Sequence, residues 1–262
     1  MKKVTGNEYN PKGLSAESIS CLLKGAVDGL QVKALTEVDS TNTEAKRLAA
    51  RGLNEPMLIL AESQTAGRGR MGRSFFSPSG TGLYMSFMYC PETGFSDSIT
   101  VTSAAAVAVV RALEEMTDLT AQIKWVNDVY IGSKKVCGIL TEAVTGERTY
   151  VIVGIGINIT TDEFPDEIKQ KAASLGKPLD RNLLAAAITK HLYKLIEGLP
   201  QRTFLPEYRA KSMVLGRTVE FIKSGQSQIG TAVDIDRNGG LIVETDSGNV
   251  TLNTGEISLK VV

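Results

Sequence analysis

The residues best able to do chemistry are gathered in Gln64-Thr65-Ala66-Gly67-Arg68-Gly69-Arg70-Met71-Gly72-Arg73. Three arginines and three glycines fall within the seven residues from Gly67 to Arg73. Each guanidinium is permanently charged and offers a planar fork of donors matched to phosphate or carboxylate. Glycine lets the chain between them bend freely. The preceding apolar run, Met57 to Ala61, is opened by Pro56 and predicts a short buried strand. A cationic, bendable loop delivered by a strand is suited to closing over an anion. Gly67-x-Gly69-x-x-Gly72 also matches the dinucleotide fingerprint, but that motif needs a helix directly after its glycines. Ser74-Phe75-Phe76-Ser77-Pro78-Ser79-Gly80 opens no helix before the strand-like Leu83 to Tyr89. An arginine-glycine segment can also bind single-stranded nucleic acid, yet this one stands alone in a chain with Lys+Arg 29 against Asp+Glu 29. A plain solvated loop is the remaining alternative.

Four other groups share the stretch's polar or glycine-rich character: Asp39-Ser40-Thr41-Asn42 upstream, and Lys124-Trp125-Val126-Asn127-Asp128, Lys135 to Gly138 and Gly154-Ile155-Gly156-Ile157-Asn158 downstream. In order and spacing the set resembles a biotin protein ligase (biotin–[acetyl-CoA-carboxylase] ligase), over roughly residues 30 to 262. The family usually has proline where this chain has Val126. The resemblance implies an α+β fold, with a class II synthetase-like mixed sheet flanked by helices and a small C-terminal SH3-like β-barrel. It divides the chain into an N-terminal segment (1–29), a catalytic biotin- and ATP-binding domain (30–213) and the barrel (214–262).

The elements that must position these residues are legible in outline. Val32 to Val38 predicts a strand ending at Asp39-Ser40. Thr41-Asn42-Thr43-Glu44 has capping-box spacing, with Thr41 as N-cap and Glu44 reaching back. A cap leaves Ser40 and Asn42 unexplained, and a helix N-terminus is also a place where polar ligand groups bind. By resemblance, Ser40, Thr41 and Asn42 would hydrogen-bond the ureido ring of biotin, with Gln64 near them. Gly82 to Cys90 predicts a strand and Asp97 to Met116 a helix, both scaffold. Ala121 to Val126 predicts another strand, broken by the turn-forming Asn127-Asp128. Ser133 to Leu140 and Thr149 to Ile159 are further strands, and Gly154 and Gly156 within the latter allow close approach of a ligand or a second backbone.

The resemblance assigns further roles. Lys135 would touch both the biotin carboxylate and the α-phosphate, with Arg68, Gly69, Arg70, Gly138, Gly154 and Gly156 around biotin. Arg70, Arg73, Lys124, Trp125, Asn127, Lys135 and Asn158 would serve ATP, and Asp128 could hold Mg²⁺ carried by it. No Gly-Lys-Ser/Thr occurs in the chain, so ATP is not held by a Walker A loop. The implied chemistry is biotin adenylation followed by transfer to a lysine of a biotin carboxyl carrier protein. The catalytic group would comprise Lys135, Arg70, Arg68 and Asp128, with the Gly67–Arg73 loop as a lid.

After a loop-like stretch from Thr160, Asp180 predicts the cap of a helix over Asn182 to Glu197, and a short helix follows from Phe204 to Met213. Beyond Gly216 come Arg217–Ile222, Gln228–Ile235, Leu241–Thr245, Val250–Leu252 and Ile257–Val261, short strands separated by hairpin-type turns.

Composition excludes several classes. Hydrophobic content of 42% with 22% charged is that of a soluble globular protein, and a formal net charge of +0 draws it to neither nucleic acid nor membrane. Cys21, Cys90, Cys137 and the single His191 give no metal-ligand spacing. The cysteines read as reduced, buried residues and His191 as a partly buried structural one. The start, Met1 to Gly6, is no signal peptide, so a cytoplasmic protein is expected. The short segment before residue 30 leaves no room for the DNA-binding domain that some family members carry, and direct DNA binding is not expected. Pairing of two copies through the main sheet is possible for proteins of this type. A lipoate or octanoyl transferase, or a biotin sensor, are the alternatives.

Overall fold

The apolar runs become the middle of a sheet. In the computed structural model, which describes residues 13–27, 29–53, 55–91, 98–223, 225–253 and 257–259, the first unit is a seven-stranded mixed sheet. Its strands are β1 (Gln31–Val38), β2 (Met57–Gln64), β3 (Gly82–Tyr89), β4 (Ala121–Lys124), β5 (Asp128–Ile131), β6 (Lys134–Thr145) and β7 (Thr149–Asn158), in the order β1-β2-β3-β7-β6-β5-β4. Only β1 and β2 run parallel, joined by the crossover helix α2 (Thr41–Ala49), and every other neighbour is antiparallel.

Strand periodicity separates two faces. Leu58 and Leu60 of β2 and Val151, Val153, Ile155 and Ile157 of β7 point into the main core. There they meet α1 (Ala16–Leu23), α3 (Ser98–Met116), α4 (Arg181–Glu197) and α5 (Leu205–Ala210). Met57, Ile59, Tyr150 and Ile152 point the other way, against Ala45, Leu48 and Ala49 of α2. The second face therefore carries one short helix, and beyond its N-terminus the sheet is open for a ligand.

Asp180 caps α4 as the sequence predicts, accepting from the backbone N–H groups of Asn182 and Leu183. The capping box does not form. Ser40 occupies the N-cap position, Thr41 is already helical, and the Ser40 side chain makes no capping bond. The Thr41 N–H is taken by Gln64 Oε1 at 2.9 Å, and Glu44 pairs with Lys33 (2.7 Å) and Arg47 (3.2 Å). A tertiary acceptor has replaced the local one.

The turn after β4 also differs from the sequence reading. It comprises Trp125 to Asn127 with a cis Trp125–Val126 peptide, and Asp128 already opens β5. Cys137 is buried and Cys90 intermediate, but Cys21 is exposed, because it falls on the outer side of α1, whose inner side presents Ile19 and Leu23. His191 is partly buried and pairs with Glu115 at 2.9 Å. The predicted helix start at Asp97 and strand end at Val261 lie outside the described residues.

The second unit is a five-stranded antiparallel sheet of β8 (Thr218–Lys223), β9 (Gln226–Ile235), β10 (Leu241–Thr245), β11 (Gly248–Leu252) and β12 (Ile257–Leu259), ordered β11-β10-β9-β8-β12. Its inner residues, Val219, Phe221, Ala232 and Leu241 among them, join the main core. The β9–β10 turn fixes the docking. Trp125 Nε1 donates to Gly239 O at 2.9 Å, and Thr100 Oγ1 donates to Asn238 O at 3.2 Å. Gly239 has φ +86, and a Cβ there would press on Ile99 and Ser103, so this contact needs glycine. No helix among the described residues is long and apolar enough to cross a membrane.

Candidate functional site

The open face of the sheet is a trough cut by glycines. Register places Gly156 between Tyr84 and Gly138, and Gly154 between Ser86 and Leu140, so two adjacent rows run across β3, β7 and β6 with glycine at their centre. At one end stands the N-terminus of α2, with Ser40, Thr41 and Asn42 all buried. Asn42 lies over Gly154, where any Cβ would overlap its amide. Its Nδ2 donates to Leu140 O (3.2 Å) and to Glu142 Oε2 (3.0 Å). Ser86 Oγ lies 2.6 Å from Asn42 Oδ1 and 2.7 Å from Thr41 Oγ1. Gln64, at the end of β2, completes the group and donates from Nε2 to Ser77 Oγ at 2.8 Å.

The cationic loop folds as a small hairpin over this trough. Arg68 bridges to Ser74, Gly69 N–H donates to Arg73 O at 2.7 Å, and Phe75 N–H donates to Gly67 O at 2.9 Å. The tip is a 3-10 turn over Arg70–Gly72, with Met71 in the left-handed region (φ 55) and exposed to solvent. Arg68 reaches Glu142 at 3.2 Å, and Arg70 Nη1 donates to Asn127 Oδ1 at 2.9 Å. Burial alone would raise the Glu142 carboxyl, but hydrogen bonds from Lys46 and Asn42, with the charges of Lys46 and Arg68, hold it below the usual range. Phe75 closes the trough: a Cβ on Gly156 would come within 2.6 Å of its ring, and one on Gly138 within 3.3 Å.

Beyond Phe75 the cleft widens. Lys135 Nζ sits 2.7 Å from Asp128 Oδ1. The Lys135 backbone is clamped on its outer side, donating to Lys171 O (3.0 Å) and accepting from Ala173 N–H (2.9 Å). Asn158 Nδ2 donates to Ala173 O at 3.2 Å, while its buried Oδ1 has no hydrogen-bond partner. Lys124 Nζ stands 5.9 Å above the Tyr130 ring, a cation–π contact. Phe76 and Phe164 face one another across the cleft with ring centroids 6.3 Å apart.

All of the residues given binding or catalytic roles from the sequence line two adjoining cavities. The smaller, about 100 Å³, holds Ser40, Thr41, Asn42, Gln64, Arg68, Gly69, Gly138, Gly154 and Gly156. The larger, about 350 Å³, holds Lys124, Trp125 and Asn158. Arg70, Arg73, Asn127, Asp128 and Lys135 line both. At its α2 end the small cavity offers neutral hydrogen-bonding groups over glycines, suited to a compact polar ring, with the charged residues at its other side. The large one offers cations and aromatic faces, suited to a nucleotide. Among the described residues no group of three His, Cys, Asp or Glu could hold a metal ion, so Asp128 alone fits a cation only when phosphate oxygens supply its other ligands. Sequence reasoning missed Phe75, Ser86 and Glu142. Phe75 lies beside the glycine loop, whereas Ser86 and Glu142 sit on strands read as plain scaffold or left without comment.

Comparison with known proteins gives a consistent result. Residues 35–158 match the Biotin/lipoate A/B protein ligase family, and residues 214–260 match the Biotin protein ligase C terminal domain. The chain is 33% identical over 260 residues to the bifunctional ligase/repressor BirA of Bacillus subtilis (strain 168), covering 95% of this chain and 80% of that protein. It is 29% identical to the biotin--[acetyl-CoA-carboxylase] ligase of Mycobacterium tuberculosis, covering 93% and 95%. The biotin protein ligase from Aquifex aeolicus, solved in complex with biotin and ATP, superposes with a TM-score of 0.77 at 33% identity, over 87% of this chain and 98% of that one. The chain belongs to the biotin protein ligase family.

Proposed function

We propose that this protein joins biotin to a lysine of a biotin carboxyl carrier protein in two ATP-dependent steps, through biotinyl-5′-AMP. The observation that carries the reading is the seam between the cavities, where Lys135, Asp128 and Arg70 line both. A carboxylic acid bound in the glycine trough and a nucleotide bound in the wide cleft would present carboxylate and α-phosphate to the same cations.

The residues divide the work. Ser40, Thr41, Asn42 and Gln64 bind the ureido ring, Gly138, Gly154 and Gly156 give it room, and Phe75 covers it. Lys135 and Arg70 draw the carboxylate oxygen to the α-phosphorus and stabilise the charge that spreads over the phosphate oxygens. Mg²⁺, held by ATP and Asp128, would neutralise further phosphate charge. Carboxylate attack breaks the α–β phosphoanhydride bond and expels pyrophosphate. The acceptor amine then attacks the mixed anhydride and expels AMP. Between these steps the Gly67–Arg73 hairpin, with Arg68 and Arg73, excludes water. The carrier would belong to an acetyl-CoA carboxylase or a similar enzyme, and the work would be done in the cytoplasm.

The test is pyrophosphate release from ATP and Mg²⁺ with biotin, lipoate or octanoate, in the wild type and in Lys135→Ala. Turnover with biotin that is lost in the variant is the expected result. Turnover with lipoate or octanoate instead would assign the chain to the other branch of the matched family.

A further inference from the structure

Four side-chain oxygens at the wall of the small cavity, those of Asn42, Ser86, Thr41 and Gln64, share two hydroxyl protons, and counting those protons bears on what the pocket can recognise. Asn42 Oδ1 carries no hydrogen, so its 2.6 Å contact with Ser86 Oγ must use the single Ser86 proton. The 2.7 Å contact between Ser86 Oγ and Thr41 Oγ1 must then use the proton of Thr41. Thr41 Oγ1 also lies 3.2 Å from Gln64 Oε1, but its one proton is already committed. Thr41 Oγ1 thus turns an acceptor lone pair towards Gln64 Oε1, which already accepts the Thr41 backbone N–H at 2.9 Å, so the two oxygens face each other with no hydroxyl proton between them. Asn42 cannot relieve them, since both Nδ2 hydrogens go to Leu140 O and Glu142. Ser86 itself is fully buried and reaches no cavity.

We infer that Ser86 is a positioning residue that sets the hydrogen-bond polarity of the ring pocket, drawing the Thr41 proton away so that the Thr41 and Gln64 oxygens face the ligand as an acceptor pair that favours a ring bearing N–H donors. The inference rests on the biotin reading and deepens it. A cyclic urea brings two N–H groups to such a pocket, whereas a dithiolane ring brings none and would leave the Thr41 and Gln64 lone pairs facing each other without a donor. The row Ser86–Gly154–Leu140 explains the placement. Glycine at the centre lets the Asn42 amide lie flat on the sheet, within reach of a hydroxyl on one side and a carbonyl on the other. Replacing Ser86 with alanine frees the Thr41 proton to turn to Gln64 Oε1, which removes the acceptor pair, and takes from Asn42 Oδ1 its hydroxyl donor.

The test compares wild type, Ser86→Ala and Ser86→Cys by calorimetric titration with biotin and lipoate, and by steady-state KM for biotin and ATP. Both variants should weaken biotin roughly tenfold, the effect of one lost buried hydrogen bond with its unpaired partner, while kcat and the KM for ATP stay within about twofold. Lipoate binding should hold or improve, so the biotin-to-lipoate ratio falls. Unchanged biotin affinity, or a parallel loss of biotin, ATP and kcat together, overturns the inference. If wild type binds no biotin in the same titration, the biotin reading itself falls and this inference goes with it, a result distinct from failure of the variants.

Discussion

Lys135 Nζ and Asp128 Oδ1 stand 2.7 Å apart at the seam between the two cavities, on neighbouring strands whose register slips by one residue between Val129 and Tyr130. The irregularity brings the two side chains together, since Asp128 pairs with Gly138 and Tyr130 with Lys135 in the ladder. Asp128 thus aims the lysine as well as balancing it. Lys135→Ala should lower kcat for pyrophosphate release about 10²–10³-fold, as expected for loss of a fixed transition-state donor. Asp128→Asn should cost less alone, and in the Lys135→Ala background its cost should shrink to the share carried by the proposed Mg²⁺ contact. A double-mutant cycle on kcat/KM checks the coupling, and additive losses would separate the two residues.

Gly154 and Gly156 should be the least replaceable residues of the trough. A Cβ at 156 comes within 2.6 Å of the Phe75 ring, and one at 154 overlaps the Asn42 amide. Gly156→Ala should raise KM for biotin at least tenfold with little change in KM for ATP, because displaced Phe75 closes the small cavity first. The steady-state constants for both substrates decide it.

Asn158 lines the large cavity, with its Nδ2 held by Ala173 O and its Oδ1 a buried acceptor without a partner, which a ligand reaches only after a small shift of the cavity wall. A base with an exocyclic amine can satisfy it, and a base with a carbonyl there cannot. Pyrophosphate release should therefore favour ATP over GTP, and Asn158→Asp, which keeps the acceptor, should retain more of that preference than Asn158→Leu. Equal preferences in the two variants would remove Asn158 from nucleotide selection.

Glu142 predicts an acid limb. Its folded carboxyl is held below the ordinary value of 4.5. The stabilisation it gives is therefore fully present above about 4.5 and is lost as pH falls through the lower folded value. Urea midpoints measured from pH 6 downward should fall less steeply in Glu142→Gln than in wild type. Arg68, which pairs with Glu142, should be released over the same window, visible as faster proteolysis within the Gly67–Arg73 hairpin.

The sequence displays what is local. Alternation and apolar runs give the strands, Asp180 gives its helix start, and the Gly67–Arg73 stretch with its partner motifs gives the residues lining both cavities. What it hides is which partner a group chooses across the fold. Thr41 looks like a cap because its neighbours permit one, yet Gln64, 23 positions away, is the better acceptor once β1 and β2 lie side by side. Ser86 looks like an ordinary strand residue, and its role exists only because register sets it beside Gly154. Phe75 is visible beside the loop, but nothing local says that its ring lies over two glycines on distant strands.

The Trp125–Gly239 hydrogen bond ties the wall of the large cavity to the second unit. Trp125 and Ile257 both line that cavity, so it draws on residues of both units. The small cavity is complete by Gly156. Loosening of the β9–β10 turn should therefore open the place proposed for the energy donor while leaving the place proposed for the vitamin intact.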